Sequence, residues 1–116
     1  MPTEETQRVA QRYFDAWTSR RTAESAGLLA DDFSFAAGDM KVEGKDAFLD
    51  AGAFPQDATT TMVSEAYQDD VAFQMYDATR GELTVRIVER LIVRDGLIVT
   101  STFVTDMAAF MAFLAA

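Results

Sequence analysis

The sequence predicts an α+β domain in which a curved, mostly antiparallel sheet wraps around helices placed first in the chain. Three observations carry that expectation. Apolar residues recur every three to four positions from Thr3 to Ser19, whereas beyond Thr59 the period changes to two. Short polar breaks, among them Asp95-Gly96, separate the later runs, as antiparallel connections require. Every second residue from Leu83 to Val93 is apolar except Glu89, so one face of that strand is buried and carries a carboxylate.

Val9, Ala10, Tyr13, Phe14, Ala16 and Trp17 form the apolar stripe of the first helix, with Thr3 as its expected N-cap and Glu4 and Glu5 in its first turn. Thr22 is expected to cap a second short helix through Ala30, ended by Asp31-Asp32. Residues Phe33 to Ala37 alternate large with small side chains before Gly38-Asp39, which reads as a strand entering a turn, and Met40 to Glu43 is its short return. Gly44-Lys45-Asp46 opens a third helix carrying Ala47, Phe48, Leu49 and Ala51 and ending near Gly52 and Pro55. Four extended runs follow: Thr59 to Tyr67, Val71 to Thr79, Glu82 to Arg94 and Leu97 to Thr105. Asp95-Gly96 between the last two is a type I′ hairpin signal. Asp106 is placed to cap a final, almost wholly apolar helix from Met107 to Ala116, which either closes a pocket or packs on a second subunit.

At 116 residues, 49% hydrophobic and 25% charged, the chain is sized for one compact domain with a real core. It has neither cysteine nor histidine, which removes thiolate nucleophiles, disulfides, zinc ribbons and the commonest general base. Acid or base work therefore falls to Asp, Glu, Tyr or Lys, and no metal site is expected. The net charge of -9 opposes nucleic acid and anionic membrane and favours a neutral or cationic small ligand. No secretory signal pattern is present and no apolar run approaches the ~20 residues of a membrane helix, so a cytoplasmic location is expected. No Gly-rich strand-to-helix turn offers a flavin, nicotinamide or phosphate site, so no cofactor is expected either.

Glu89 is the best pointer to a site. An ionised carboxylate on a buried face loses its water, so its surroundings must raise its pKa, pair it, hydrogen-bond it or open onto a cavity. A structural ion pair or a bond to buried backbone would also satisfy it. Asp77 is a second candidate: if Val71, Phe73, Met75, Asp77 and Thr79 face inward, it lines the same cavity and two acids can divide acid and base roles. The opposite parity brings Tyr76 inward and sends Asp77 to solvent. Met62, Met75 and Met107 suit gaps in a core or soft pocket walls.

Four segments add a resemblance: Gln11-Arg12-Tyr13-Phe14-Asp15-Ala16-Trp17, the Leu29-Ala30-Asp31-Asp32-Phe33 junction, Glu43-Gly44-Lys45-Asp46-Ala47-Phe48, and Val93-Arg94-Asp95-Gly96-Leu97-Ile98. In order and spacing they resemble the nuclear transport factor 2-like superfamily, nearest its ketosteroid isomerase and SnoaL-like polyketide cyclase relatives. The resemblance covers nearly the whole chain. It implies a cystatin-like cone of mixed, mostly antiparallel sheet with an apolar pocket in each subunit of a homodimer. The implied pocket wall comes from the first helix and inward strand positions: Trp17, Phe33, Phe35, Phe73, Met75 and Phe103.

Tyr13 falls where the isomerase relatives carry an oxyanion-hole tyrosine, and Glu89 where they carry a protonated aspartic acid that donates a second hydrogen bond. Their general base lies at the end of the first strand, where this chain has Phe35, Ala36 and Ala37; the nearest carboxylate, Asp39, falls in the turn. Relatives that hydrolyse epoxides use an Asp-Arg-Asp arrangement, but here Arg86 lies on the outward parity and Asp106 serves as a helix cap. The implied function is binding of an apolar small molecule, with Glu89, Tyr13 and Asp77 available for isomerase, cyclase, hydratase or lyase chemistry. A non-catalytic ligand-binding or dimerisation module is the alternative.

Overall fold

In the computed structural model, which describes residues 2–51 and 54–116, two helices, α1 (Pro2–Thr18) and α2 (Thr22–Gly27), lead into β1 (Leu29–Ala37) and its return β2 (Met40–Glu43). α3 (Lys45–Asp50) follows, then β3 (Thr59–Gln68), β4 (Val71–Arg80), β5 (Leu83–Arg94), β6 (Leu97–Val104) and α4 (Met107–Ala115). The strands form one sheet in the order β2-β1-β6-β5-β4-β3. β1 and β6 run parallel and every other neighbouring pair antiparallel, so the sheet is mixed and the domain is α+β, as predicted.

The sheet curves around α1, whose apolar stripe buries Val9, Ala10, Tyr13, Phe14 and Ala16. The register skips Val63 in β3, between the Met62–Tyr76 and Ser64–Met75 pairs, and Val99 in β6, between the Ile92–Thr100 and Val93–Ile98 pairs; such bulges bend a strand and sharpen its twist. Two apolar clusters result. Val9, Tyr13, Leu29, Phe33, Leu91 and Ile98 form one, and Phe14, Tyr76, Ile87, Phe110 and Phe113 the other; Trp17 packs against both. α4 thus folds back on its own chain, burying Phe110 and Phe113 while Met111 and Leu114 stay exposed.

Along β5 the parity is the expected one, with Val85, Ile87, Glu89, Leu91 and Val93 buried and only Leu83, at the strand's start, exposed. β4 has the parity that brings Tyr76 inward. Ala72, Gln74, Tyr76 and Ala78 are buried, whereas Phe73 is 45% exposed on the outer face that Met75 and Asp77 share. The β5–β6 turn carries positive φ at both Asp95 (54°) and Gly96 (76°), as a type I′ hairpin requires.

Several boundaries differ from expectation for local reasons. α1 begins at Pro2, so Thr3 lies inside it and its Oγ1 instead accepts a hydrogen bond from the Asp69 N–H at 3.0 Å, tying the helix to the β3–β4 turn. Arg21 rather than Thr22 occupies the N-cap of α2, and it makes no side-chain capping bond. That helix stops at Gly27 because Leu29 already pairs with Ile98 in the parallel β1–β6 ladder. α3 ends at Asp50, and the expected stop at Gly52 lies outside the described residues.

Asp106 caps α4 as expected, its carboxylate accepting from the Ala109 N–H at 3.1 Å. Asp106→Ala is expected to cost about 1 kcal/mol through the orphaned N–H. Urea titration measures it as a lower midpoint at constant m; an unchanged midpoint would show the cap to be dispensable.

Candidate active site

Between the helices and the inner face of the sheet lies a cavity of about 350 Å³. Its wall is mainly aromatic: Tyr13 and Trp17 from α1, Phe35 from β1, Phe48 from α3, Phe54, Phe103 from β6 and Phe110 from α4. Close ring contacts hold this wall in place, with centroids 5.0 Å apart for Phe35 and Phe103, 5.1 Å for Phe35 and Phe48, and 5.1 Å for Trp17 and Phe54. Thr22, Met40, Leu49, Ala51 and Leu114 are the exposed members of the lining and mark its rim.

Glu89 forms part of the floor and is only 2% exposed. Its Oε1 accepts a hydrogen bond from the Tyr76 hydroxyl at 3.1 Å, and its Oε2 accepts one from the Ser101 hydroxyl at 2.6 Å. The strand register explains the grouping. Glu89 lies opposite Gln74 on one side and Phe103 on the other, so Tyr76 and Ser101, two residues along from each, stand diagonally next to it on the same face. Burial pushes the Glu89 carboxyl up to about 7, while the Ser101 and Tyr76 hydrogen bonds pull it down. Desolvation wins because, among the described residues, no cation faces the group.

Burial, reinforced by the negative charge of Glu89, also holds the Tyr13 and Tyr76 phenols well above their ordinary range. Both therefore remain protonated donors. Tyr76 spends its proton on Glu89. Tyr13 makes no side-chain hydrogen bond among the described residues, which leaves its hydroxyl to a ligand in the cavity that it lines.

Of the residues expected at the site, Glu89, Tyr13, Trp17, Phe35 and Phe103 converge on the cavity. Phe33 does not: it is fully buried beneath the wall, with its ring 4.9 Å from that of Phe48. Phe73 and Met75 belong to the outer face of the sheet. Asp77 also faces out, where the Arg86 guanidinium donates to its two carboxylate oxygens at 2.8 and 3.0 Å and holds its carboxyl below the usual range. Asp77 and Arg86 are direct register partners, so this ion pair satisfies the acid in solvent while Tyr76 fills the inner position. Among the described residues Glu89 is thus the one carboxylate lining the cavity.

Sequence reasoning did not place Tyr76, Ser101, Arg20, Phe48 or Phe54 in the site, whereas Phe110 belongs to the final helix for which pocket closure was one of two expectations. Tyr76 was the inward alternative to Asp77, and an aromatic flanked by Ala and Gln on its own parity was its only signal. At the turn end of β1, Phe35 and Ala37 line the cavity and Asp39 is exposed, so no carboxylate stands there. Among the described residues no group of three or more His, Cys, Asp or Glu side chains is arranged to hold a metal ion, and no helix is long and apolar enough to cross a membrane.

The sequence profile of the SnoaL-like domain matches residues 10–101. Among solved structures, a candidate ketosteroid isomerase from Kribbella flavida DSM 17836 superposes with a TM-score of 0.85 at 27% identity, over 90% of this chain and 79% of that one. A candidate SnoaL-like polyketide cyclase from Jannaschia sp. CCS1 gives 0.84 at 16% identity, over 99% of this chain and 94% of that one. An NTF2-like protein of unknown function from Cytophaga hutchinsonii ATCC 33406 gives 0.79 at 12% identity, over 91% and 94%. The last two likenesses concern the fold alone: the curved α+β cone of nuclear transport factor 2-like proteins. No curated protein matches the sequence significantly.

Glu89 holds its proton more tightly in the folded chain than in the unfolded one. Its stabilising contribution is therefore fully present below about pH 4.5 and is lost as pH rises through about 7. Glu89→Gln is neutral throughout, so its stability relative to the wild type should rise by about 3 kcal/mol from about pH 5 to about pH 8. Denaturant titrations at both pH values measure this; a difference independent of pH would mean that Glu89 is solvated.

Proposed function

The chain belongs to the SnoaL-like family, and we propose from that premise that it binds an apolar carbonyl or enol compound and moves a proton on it without a cofactor. The observation that carries the reading is one buried carboxyl, Glu89, poised at about 7 on the floor of an aromatic cavity beside the unspent Tyr13 hydroxyl. A group that titrates near neutrality is suited to both halves of a proton transfer.

In the proposed step the Glu89 carboxylate takes a proton from the carbon next to the carbonyl. The C–H electron pair becomes the C=C bond of an enolate, and the carbonyl π pair moves onto oxygen. Tyr13 donates a hydrogen bond to that oxygen, which strengthens as its negative charge develops. Where the compound carries a β,γ double bond, the enolate is conjugated with it as a dienolate, and Glu89 returns the proton to the γ-carbon while the oxygen pair re-forms the carbonyl, which makes the net reaction an isomerisation. A lone carboxylate fits this shuttle better than a cyclase, hydratase or lyase route that needs separate acid and base. Tyr76 and Ser101 hold the carboxylate in place and solvate it while it is ionised.

A second reading, non-catalytic ligand binding, draws support from the same site. Both Glu89 oxygens already accept a hydrogen bond, and the end of β1 offers only Phe35 and Ala37. The proposal also includes a homodimer formed through the outer face of the sheet, where Phe73 (45% exposed) and Val104 (62% exposed) stand uncovered near Met75 and Val88. The absence of cysteine supports a reducing, cytoplasmic setting.

Hydrogen exchange at the α-carbon tests catalysis without knowledge of the natural substrate. With 2-tetralone in deuterated buffer at about pH 7, the wild type should accelerate loss of the α-proton NMR signal. Glu89→Gln should abolish the acceleration, and Tyr13→Phe should slow it about a hundredfold. Trp17, the only tryptophan, reports binding in the same samples by its fluorescence. Binding with exchange no faster than in buffer would favour the non-catalytic reading. For the assembly, sedimentation should show a dimer that the double variant Phe73→Lys, Val104→Lys converts to monomer; a monomeric wild type would contradict it.

A further inference from the structure

The polar groups of the cavity fall at two levels. Tyr13 and Glu89 lie deep, whereas Arg20, Thr22 and Ser25 come from the corner between α1 and α2, with Thr22 on the exposed rim. Tyr13 and Trp17 lie one turn apart on the cavity side of α1, and Arg20 lies two residues beyond the end of that helix at Thr18. The Tyr13 hydroxyl and the Arg20 guanidinium thus line one cavity at different levels, as the two ends of one ligand require.

Arg20 is unusual in two respects. Its φ is 64°, the left-handed conformation in which a helix normally ends on glycine, and only Asp69 and Asp95 share that feature among the described non-glycine residues. It also pairs with no carboxylate among the described residues, unlike Arg12, Arg21, Arg80, Arg86 and Arg94; Arg8 and Arg90 share that property, but of the three only Arg20 lines this cavity. Its Nη1 donates to the Trp17 carbonyl at 3.3 Å, and its Nη2 donates to the Pro55 and Ala58 carbonyls at 2.6 and 3.4 Å. Three of the five guanidinium N–H groups are used in this way, and the remaining ones are Nε–H and one on Nη1. Neutral carbonyls orient the cation without cancelling its charge.

We propose that Arg20 makes the rim of this cavity a carboxylate site. The ligand is then amphipathic, with an apolar body whose oxygen reaches Tyr13 and Glu89 and whose other end carries a carboxylate. This rests on the reading of the cavity as a carbonyl or enol site and adds its second anchor. The net charge of -9 disfavours anions at long range, but a fixed guanidinium at contact distance outweighs distant, screened charges. The free Thr22 hydroxyl at the rim adds a further donor for the same oxygens.

Two probes separate this proposal from the one it rests on: 2-naphthol, and 6-hydroxy-2-naphthoate, which adds a carboxylate at the far end of the same ring system. Calorimetry at about pH 6, where Glu89 is mainly neutral, compares their affinities. The wild type should bind the carboxylate at least about tenfold more tightly, as a charge-assisted contact predicts. In Arg20→Gln the two should bind equally, and Arg20→Lys, which keeps the charge but loses the fork, should retain a reduced preference. Should Arg20→Gln fail to fold, the wild-type preference must shrink as salt rises from about 50 to about 500 mM. Binding of 2-naphthol with no carboxylate preference, or a preference that survives Arg20→Gln or high salt, overturns the Arg20 site alone. Failure of both probes to bind overturns the cavity reading and this proposal together.

Discussion

The Glu89 carboxyl gives up its water to sit on the inner face of the sheet, and among the described residues the only compensation it receives is two hydroxyl hydrogen bonds, from Tyr76 and Ser101. With no cation against it, the ionised form is expensive, and burial outweighs the hydrogen bonds so that the group titrates at about 7. A leucine at this position would fill the core without that penalty. The chain therefore holds an acid on the edge of ionisation, a state that the apolar aromatic walls favour because they offer the carboxylate no hydrogen-bond donors. The same conditions keep the Tyr13 and Tyr76 phenols protonated, so the site offers donors around one switchable carboxyl.

Sheet curvature makes room for this arrangement. Bulges at Val63 in β3 and Val99 in β6 bend the sheet, and the parallel β1–β6 pair places Phe35 beside Phe103, which gives the cavity its far wall. α4 adds Phe110 to the wall and Leu114 to the rim, and is fixed at its start by the Asp106 cap. On the other side of the sheet, Asp77 and Arg86 form a two-bond ion pair in solvent, while Phe73 and Val104 remain uncovered. The inner face thus carries the cavity and its buried carboxyl, and the outer face carries the exposed apolar residues.

Much of this was legible in the sequence, and the parts that were not have physical causes. The order of elements followed from periodicity, and the β5 parity, with Glu89 inward, followed from five apolar neighbours two residues apart. β4 misled because its outer residues Val71, Phe73 and Met75 are apolar while its inner set includes Gln74, so hydrophobicity alone favoured the wrong face. The inward position of Ser101 was also hidden. Without an irregularity, the hairpin at Asp95-Gly96 would set Thr102 opposite Glu89; the register shift in the β5–β6 ladder makes Phe103 the partner and turns Ser101 inward. Arg20 gave no signal because its left-handed backbone and its position at the cavity rim are tertiary properties. Phe33 alternated correctly with Phe35, yet β1 starts at Leu29 and carries Phe33 into the core beneath the wall rather than onto it.

The central claim is that the Glu89 carboxyl is desolvated inside a ligand cavity and balanced between its two protonation states. Isotope-edited NMR titration of that carboxyl in the folded protein, with and without a bound apolar phenol, tests it most directly. The account predicts a pKa near 7 that moves when the cavity is filled. A value near the ordinary 4.5, unaffected by the phenol, would mean that Glu89 is solvated and outside any site, and would contradict it.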